Sequence, residues 1–188
     1  MSPEMKVYRL ERNGPAGTGL SKMELDPADF QSDLPEQHLH AYFEDKDLGL
    51  SVGVWTTTSM QEAFGPYPGD EFMWILEGRV AMVDAGGREV PVEPGQSFCI
   101  RNGIPISWKQ VGFLRKFYIT YAKPGAPAPH IASAEGGVVV LDPAKLEDGA
   151  AHHFAPGDAF FVPNGTVCSW KAEGAVKKLY CMLDPAAG

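Results

Sequence analysis

From residue 48 to 58 the chain reads Leu-Gly-Leu-Ser-Val-Gly-Val-Trp-Thr-Thr-Thr, and the alternation puts Leu50, Val52 and Val54 on one face. A period of two with β-branched residues predicts a strand buried on one side. Residues 72–76, Phe-Met-Trp-Ile-Leu, form a continuous apolar run short enough to be a fully buried strand. Residues 79–83 and 89–92 flank Asp84-Ala85-Gly86-Gly87-Arg88, and the glycines at its tip tolerate positive φ, so this stretch predicts a hairpin. Further strands are expected at 98–100, 115–121 and 138–141, with an edge strand at 5–10. Between them lie turn clusters such as Asn13-Gly14-Pro15-Ala16-Gly17 and Gly65-Pro66-Tyr67-Pro68-Gly69, and a polar segment at 26–29. Many short strands joined by Gly/Pro turns predict an all-β fold, a small jelly-roll barrel.

The pattern also repeats. Shifted by 62 residues, the stretch 94–118 falls on 156–180 with eleven identities in 25 ungapped positions, among them Pro94/Pro156, Phe98/Phe160, Trp108/Trp170, Lys116/Lys178 and Tyr118/Tyr180. Two related modules are the natural reading. The expected organisation is an N-terminal arm over 1–30, a complete barrel over 31–122, a Pro/Gly-rich linker over 123–137 and a second module over 138–188. That second module is short. About thirty residues separate Tyr121 from His152, where the first module uses about sixty for the corresponding strands. A half barrel would leave unpaired edges. Either the module is shortened and completes its sheet with a partner, or the chain is broken near Glu147 and Asp148.

Composition narrows the function. A net charge of -8 without any run of Lys or Arg excludes a nucleic-acid or anionic-membrane surface. Cys99, Cys168 and Cys181 are odd in number and lack C-x-x-C spacing, so neither a disulfide framework nor a zinc knuckle is indicated. Residues 1–10 contain no apolar leader segment, and no run approaches the ~20 apolar residues that span a bilayer. A cytoplasmic protein is expected.

Two stretches carry a resemblance. Asp70-Glu71-Phe72-Met73-Trp74-Ile75-Leu76-Glu77-Gly78 and Glu93-Pro94-Gly95-Gln96-Ser97-Phe98-Cys99-Ile100-Arg101-Asn102-Gly103 resemble the two signature motifs of the cupin superfamily. They are most similar to those of its ureidoglycine-aminohydrolase-like branch, long described as a domain of unknown function. The resemblance implies a double-stranded β-helix, a bicupin in view of the repeat, and a dimer in which an N-terminal arm crosses to the partner. It also implies a metal held by His-x-His and Glu of the first motif and one His of the second, a set suited to Mn, Fe, Ni or Zn.

Only part of that set is present. Glu71 stands at the motif's Glu, but residues 64–67 hold no histidine and Ile106 replaces the last ligand. No metal is expected in the first barrel; Mn, Fe, Ni or Zn would require ligands in the part of the second module that the sequence lacks. There Cys168 stands where the motif has His, as a candidate ligand or nucleophile or as an ordinary core cysteine. His38-x-His40 is a candidate metal clip on one strand face, with a plain surface pair the readier reading; His130, His152 and His153 occupy no ligand position.

What remains in the first barrel is an apolar pocket with a few polar groups. Tyr67, Glu71, Trp74, Arg101, Trp108 and Tyr118 are the candidate pocket residues. Glu71 is the candidate catalytic group, as an amine-binding carboxylate or general base, and Arg101 could receive a carboxylate in a bidentate bond. Equally, Trp74 and Trp108 could be core aromatics, Arg101 a surface turn residue, and Glu71 a carboxylate pinned by Arg101 or a backbone N–H. The expected function is therefore the binding of a small polar organic ligand. The alternative implied by the resemblance is a Mn-dependent hydrolase acting on a ureide or amine-bearing molecule. A metal-free sugar-nucleotide epimerase would need a His–Asp pair, which the spacing does not provide.

Overall fold

The computed structural model describes residues 7–127, 129–141 and, as backbone, 159–161. The strands, in order, are β1 (Tyr8–Leu10), β2 (Ser21–Lys22), β3 (Gln37–Asp45), β4 (Leu50–Thr57), β5 (Met60–Gln61), β6 (Gly65–Pro66) and β7 (Asp70–Glu77). They continue with β8 (Val80–Val83), β9 (Glu89–Val92), β10 (Ser97–Ile100), β11 (Pro105–Gln110), β12 (Leu114–Tyr121), β13 (Val138–Leu141) and β14 (Ala159–Phe161). Two three-residue 3-10 turns, Pro15–Gly17 and Pro27–Asp29, are the helical content among the described residues.

Two antiparallel sheets face each other. The larger has the order β13-β10-β7-β12-β4-β3-β2; the smaller runs β5-β11-β8-β9, with β6 also pairing β11. This is the all-β barrel that the strand and turn pattern predicts, and it agrees with the double-stranded β-helix that the cupin resemblance implies. Their facing sides share one core, in which Met73 and Ile75 of β7, Phe98 and Ile100 of β10, Met82 of β8 and Trp108 of β11 are each at most 2% exposed. Burial of side chains this size supplies about 1.5–3 kcal/mol each.

The outer face of the large sheet is apolar too. Phe43, Leu50, Val52, Val54 and Phe117 form a second cluster there, closed by Leu10 and Tyr8 of the N-terminal arm. The arm is fixed at Tyr42, whose hydroxyl accepts from the Glu11 N–H at 3.1 Å and donates to the Glu11 carbonyl at 2.9 Å.

The predicted 84–88 hairpin forms: Asp84 Oδ1 accepts from the N–H groups of Gly86 and Arg88, both at 2.9 Å, and the Arg88 backbone bond is the largest cause of its lowered pKa. At the end of β7, Gly78 has φ +76°, and a Cβ there would lie 2.2 Å from the Phe113 carbonyl oxygen, so the motif's closing glycine is required by this turn. Strand β11 was not anticipated by the sequence reading, and β5 and β6 fall in or beside the cluster read as a plain turn. The expected strand at 138–141 exists, and it pairs with β10 of the first barrel. The arm strand β1 pairs with β14. The expected break near Glu147 and Asp148 lies outside the described residues.

Candidate functional site

The site follows from the alternation of two paired strands. On β7, Glu71, Met73 and Ile75 point into the barrel; on β12, Leu114, Lys116 and Tyr118 do. A register shift between Arg115 and Lys116 interrupts the β12–β7 ladder beside the site. Lys116 Nζ donates to Glu71 Oε1 at 2.8 Å, with side-chain exposures of 8% and 11%. It also lies 2.9 Å from Met73 Sδ and 4.8 and 4.6 Å from the ring centres of Trp55 and Trp108. Those two indoles meet edge to face, 5.7 Å apart at 81°. The ammonium is thus held by one carboxylate and two aromatic faces.

The other oxygen of Glu71 is taken as well. The Tyr67 hydroxyl donates to Glu71 Oε2 at 2.5 Å. Tyr67 is placed by backbone bonds to the neighbouring loop, its N–H donating to the Ile104 carbonyl at 2.9 Å and its carbonyl accepting from Gly103 N–H at 2.8 Å. Burial, and then the Glu71 charge, hold its phenol well above the ordinary range. Trp108 is fixed by its Nε1, which donates to Gln110 Oε1 at 3.0 Å.

Glu62 completes the cluster. Its N–H donates to the Trp108 carbonyl at 2.9 Å and its carbonyl accepts from Ser107 Oγ at 2.7 Å, which pins the residue beside β11. Burial raises its carboxyl to about 7, against the pull of Lys116 and with added repulsion from Glu71 and Asp29. Tyr118 sits deeper; its hydroxyl shares a hydrogen bond with Ser51 Oγ at 3.2 Å, and burial raises its pKa.

Of the residues singled out in the sequence, Tyr67, Glu71, Trp108 and Tyr118 therefore face the interior. Two placements are corrected. Trp74 alternates with Met73 and Ile75, so it points out of the barrel and packs against Phe117 at 6.2 Å between ring centres. Arg101 is an exposed turn residue, and the cation on Glu71 is Lys116 instead. Sequence reasoning missed Lys116, Glu62 and Trp55. The signal for Lys116 was its two-residue spacing from Tyr118 on a strand already recognised. His38 lies at the surface, 3.6 Å from Glu36 Oε1, and His40 stacks edge-on against Tyr42. His130 is exposed. Cys168, His152 and His153 lie outside the described residues.

The first barrel's residues do not fit the metal of the superfamily. Both oxygens of the motif's Glu are engaged, by an ammonium and a phenol, and Ile106 fills the core where the last imidazole would stand. Among the described residues no three His, Cys, Asp or Glu side chains converge as a ligand set. Nor is any helix among them long and apolar enough to cross a membrane.

No curated protein matches the chain. Among solved structures, one from Pseudomonas syringae pv. tomato str. DC3000, a protein of unknown function of the DUF861 family, is 30% identical with a TM-score of 0.53, over 59% of this chain and 46% of that one. The chain thus spans less than half the length of that relative. The Clostridium difficile EutQ protein is 17% identical with a TM-score of 0.42, over 54% of this chain and 82% of that one. EutQ of Salmonella typhimurium LT2 is 16% identical with a TM-score of 0.45, over 64% and 99%. The family model described as the EutQ-like cupin domain matches residues 46–118 and again 132–180, so the chain belongs to the EutQ-like cupin domain family.

Proposed function

We propose that the first barrel is a metal-independent binding site for a small polar organic molecule, in a protein acting as a sensor, carrier or accessory factor. One observation carries this reading: the ammonium of Lys116, seated between Trp55 and Trp108, is bonded to the motif's own carboxylate. A tethered cation takes up the charge that a metal would otherwise supply to Glu71, while Tyr67, Glu62 and the indoles leave polar and aromatic surface for a ligand. Fold alone does not decide this, since one barrel hosts many chemistries. The test is elemental analysis by ICP-MS on untagged protein purified without chelator, followed by a thermal-shift ligand screen. The expected result is no stoichiometric metal, together with a ligand whose stabilisation is lost in Glu71→Gln and reduced in Tyr67→Phe. Stoichiometric Mn, Fe, Ni or Zn would overturn it.

A second reading rests on the family model's continuation across residues 132–180 and on the internal repeat. It makes the chain a bicupin whose second module resembles that of a Mn-dependent ureidoglycine aminohydrolase, with metal ligands in the part of that module that the sequence lacks. Stoichiometric Mn and ammonia release from a ureide would establish it. The N-terminal arm packs on its own chain rather than crossing to a partner, so open strand edges alone favour a homodimer, which gel filtration with light scattering reads directly.

A further inference from the structure

We propose that the space between the N-terminal arm and the outer face of the large sheet is a second ligand site. It takes a small organic anion, a carboxylate seated on Arg12 with its apolar body against Trp74 and Phe117. This site lies on the opposite face of β7 from Glu71, and it does not depend on the reading of the barrel interior.

The space itself is the first reason. A cavity of about 440 Å³ lies between arm and sheet, lined by Arg9, Glu11 and Arg12 of the arm, Trp74 and Leu76 of β7, Phe117 of β12 and the turn glycine Gly95. That volume suits a small organic molecule better than an ion alone. The wall at Gly95 is open, since a Cβ there would meet nothing within 4 Å. The sheet side is apolar because Trp74 and Leu76 alternate with Met73 and Ile75, whose side chains fill the core. Trp74 and Phe117 meet at a tilt, 6.2 Å between ring centres and 56° between planes, so neither ring covers the other. Neither ring carries a cation among the described residues.

The hydrogen-bonding balance at the arm end is the second reason. Arg12 Nη2 donates to Glu77 Oε2 at 3.1 Å, and Arg115 Nη1 donates to the same oxygen at 3.4 Å. One carboxylate oxygen thus serves two guanidinium groups, while Arg115 Nε is buried with no acceptor among the described residues. Burial holds Arg115 below its ordinary range, and the Arg12 charge adds to this against the pull of Glu77. Glu11 offers little relief, because its carboxylate accepts from the Ala16 N–H at 2.9 Å. Donors therefore exceed acceptors at this end of the cavity.

Arg12 is able to serve a second anion. Its pair with Glu77 is about half exposed on both sides, so water weakens the bond. A guanidinium has five N–H donors in a fixed fork that matches a carboxylate. A cationic ligand would instead be repelled by Arg12 and Arg115, and a neutral one would gain no charge-assisted bond.

The experiment is isothermal titration calorimetry with benzoate, benzamide, benzylamine and inorganic phosphate at constant ionic strength. Beside it, proton–nitrogen NMR spectra follow the indole N–H signals of Trp55, Trp74 and Trp108, each assigned by its Trp→Phe variant. Benzoate should bind and shift the Trp74 signal while those of Trp55 and Trp108 stay in place. Arg12→Gln should weaken benzoate about tenfold, as loss of a charge-assisted hydrogen bond does, and benzamide and benzylamine should bind more weakly by a similar factor. Glu77→Gln removes the competing carboxylate and should tighten benzoate. Circular dichroism verifies folding, and the opposite signs of the two variants separate a contact at Arg12 from damage to the arm. Absence of benzoate binding, binding unchanged in Arg12→Gln, or benzamide bound as tightly as benzoate would overturn the site. Phosphate bound as tightly as benzoate would overturn the organic ligand class. Benzoate that shifts Trp55 and Trp108 but not Trp74 would put the anion inside the barrel, refuting the outer site while leaving the interior reading standing.

Discussion

Lys116 and Glu71 show how unequal the two ways of removing a buried pair should be. Glu71→Gln leaves a largely buried ammonium facing a neutral amide, and loss of one partner of such a pair costs about 3–5 kcal/mol. Replacing both, as Lys116→Met with Glu71→Leu, removes the stranded charge and should cost less than Glu71→Gln alone. Urea midpoints with unchanged slopes would measure the difference. Glu62 predicts a pH dependence with a definite sign. Burial raises its carboxyl from the ordinary 4.5 to about 7 in the folded chain, so the fold favours the neutral form. That stabilisation is complete below about pH 4.5 and is lost as pH rises through 7. The melting temperature of wild type minus that of Glu62→Gln should therefore fall from pH 5 to pH 8 and then level off. A flat difference would show that Glu62 is not desolvated. These residues were only half legible in the sequence. Glu71 was marked by its motif, and Tyr67 by its place among the missing histidines. Lys116 sits in a strand of ordinary composition, and a lysine shows nothing of its partner until the strands are in register.

Strands and hairpins were easier to read than the faces they present. The alternation at 48–58, the apolar run at 72–76 and the Asp84–Arg88 turn all specify local conformations, and each element formed. The run 72–76 is apolar at every position, so its pattern cannot say which residues point inward; Trp74 went to the outer cluster because both faces of that strand are covered. Strand β11 escaped notice because Pro105 opens it and its polar Ser107 and Gln110 are satisfied inside the fold, Ser107 by the Glu62 carbonyl and Gln110 by the Thr58 and Gly112 carbonyls. One glycine of β4 is also specific. A Cβ on Gly53 would come within 2.3 Å of the His40 carbonyl oxygen and 2.7 Å of the Tyr118 hydroxyl, so the glycine is the notch in which that ring lies. Gly53→Ala should force the ring or the strand to move, at a cost of about 1–3 kcal/mol. Restored stability in Gly53→Ala with Tyr118→Phe would locate the clash at the hydroxyl, and no loss in the single variant would refute it.

At the scale of the whole chain, segments far apart in sequence lend each other strands. Strand β13 extends the large sheet at β10, and β1 of the arm pairs with β14. Removing residues 123–188 should therefore do more than shorten the chain. It would bare the β10 edge, lower the urea midpoint and promote association, as light scattering would show. The β1–β14 pairing also bears on the order of synthesis. Tyr8 and Leu10 are synthesised long before the strand they pair with, which is made only after β2 to β13. Until then the arm can rest on the outer apolar cluster but cannot complete its ladder. A contact between such distant segments is slow to form, so a late kinetic phase and a window of exposed strand edge are the expected consequences. A nascent chain stalled before residue 159 should expose Tyr8 to Leu10 to protease, and the chain carried through residue 188 should protect them.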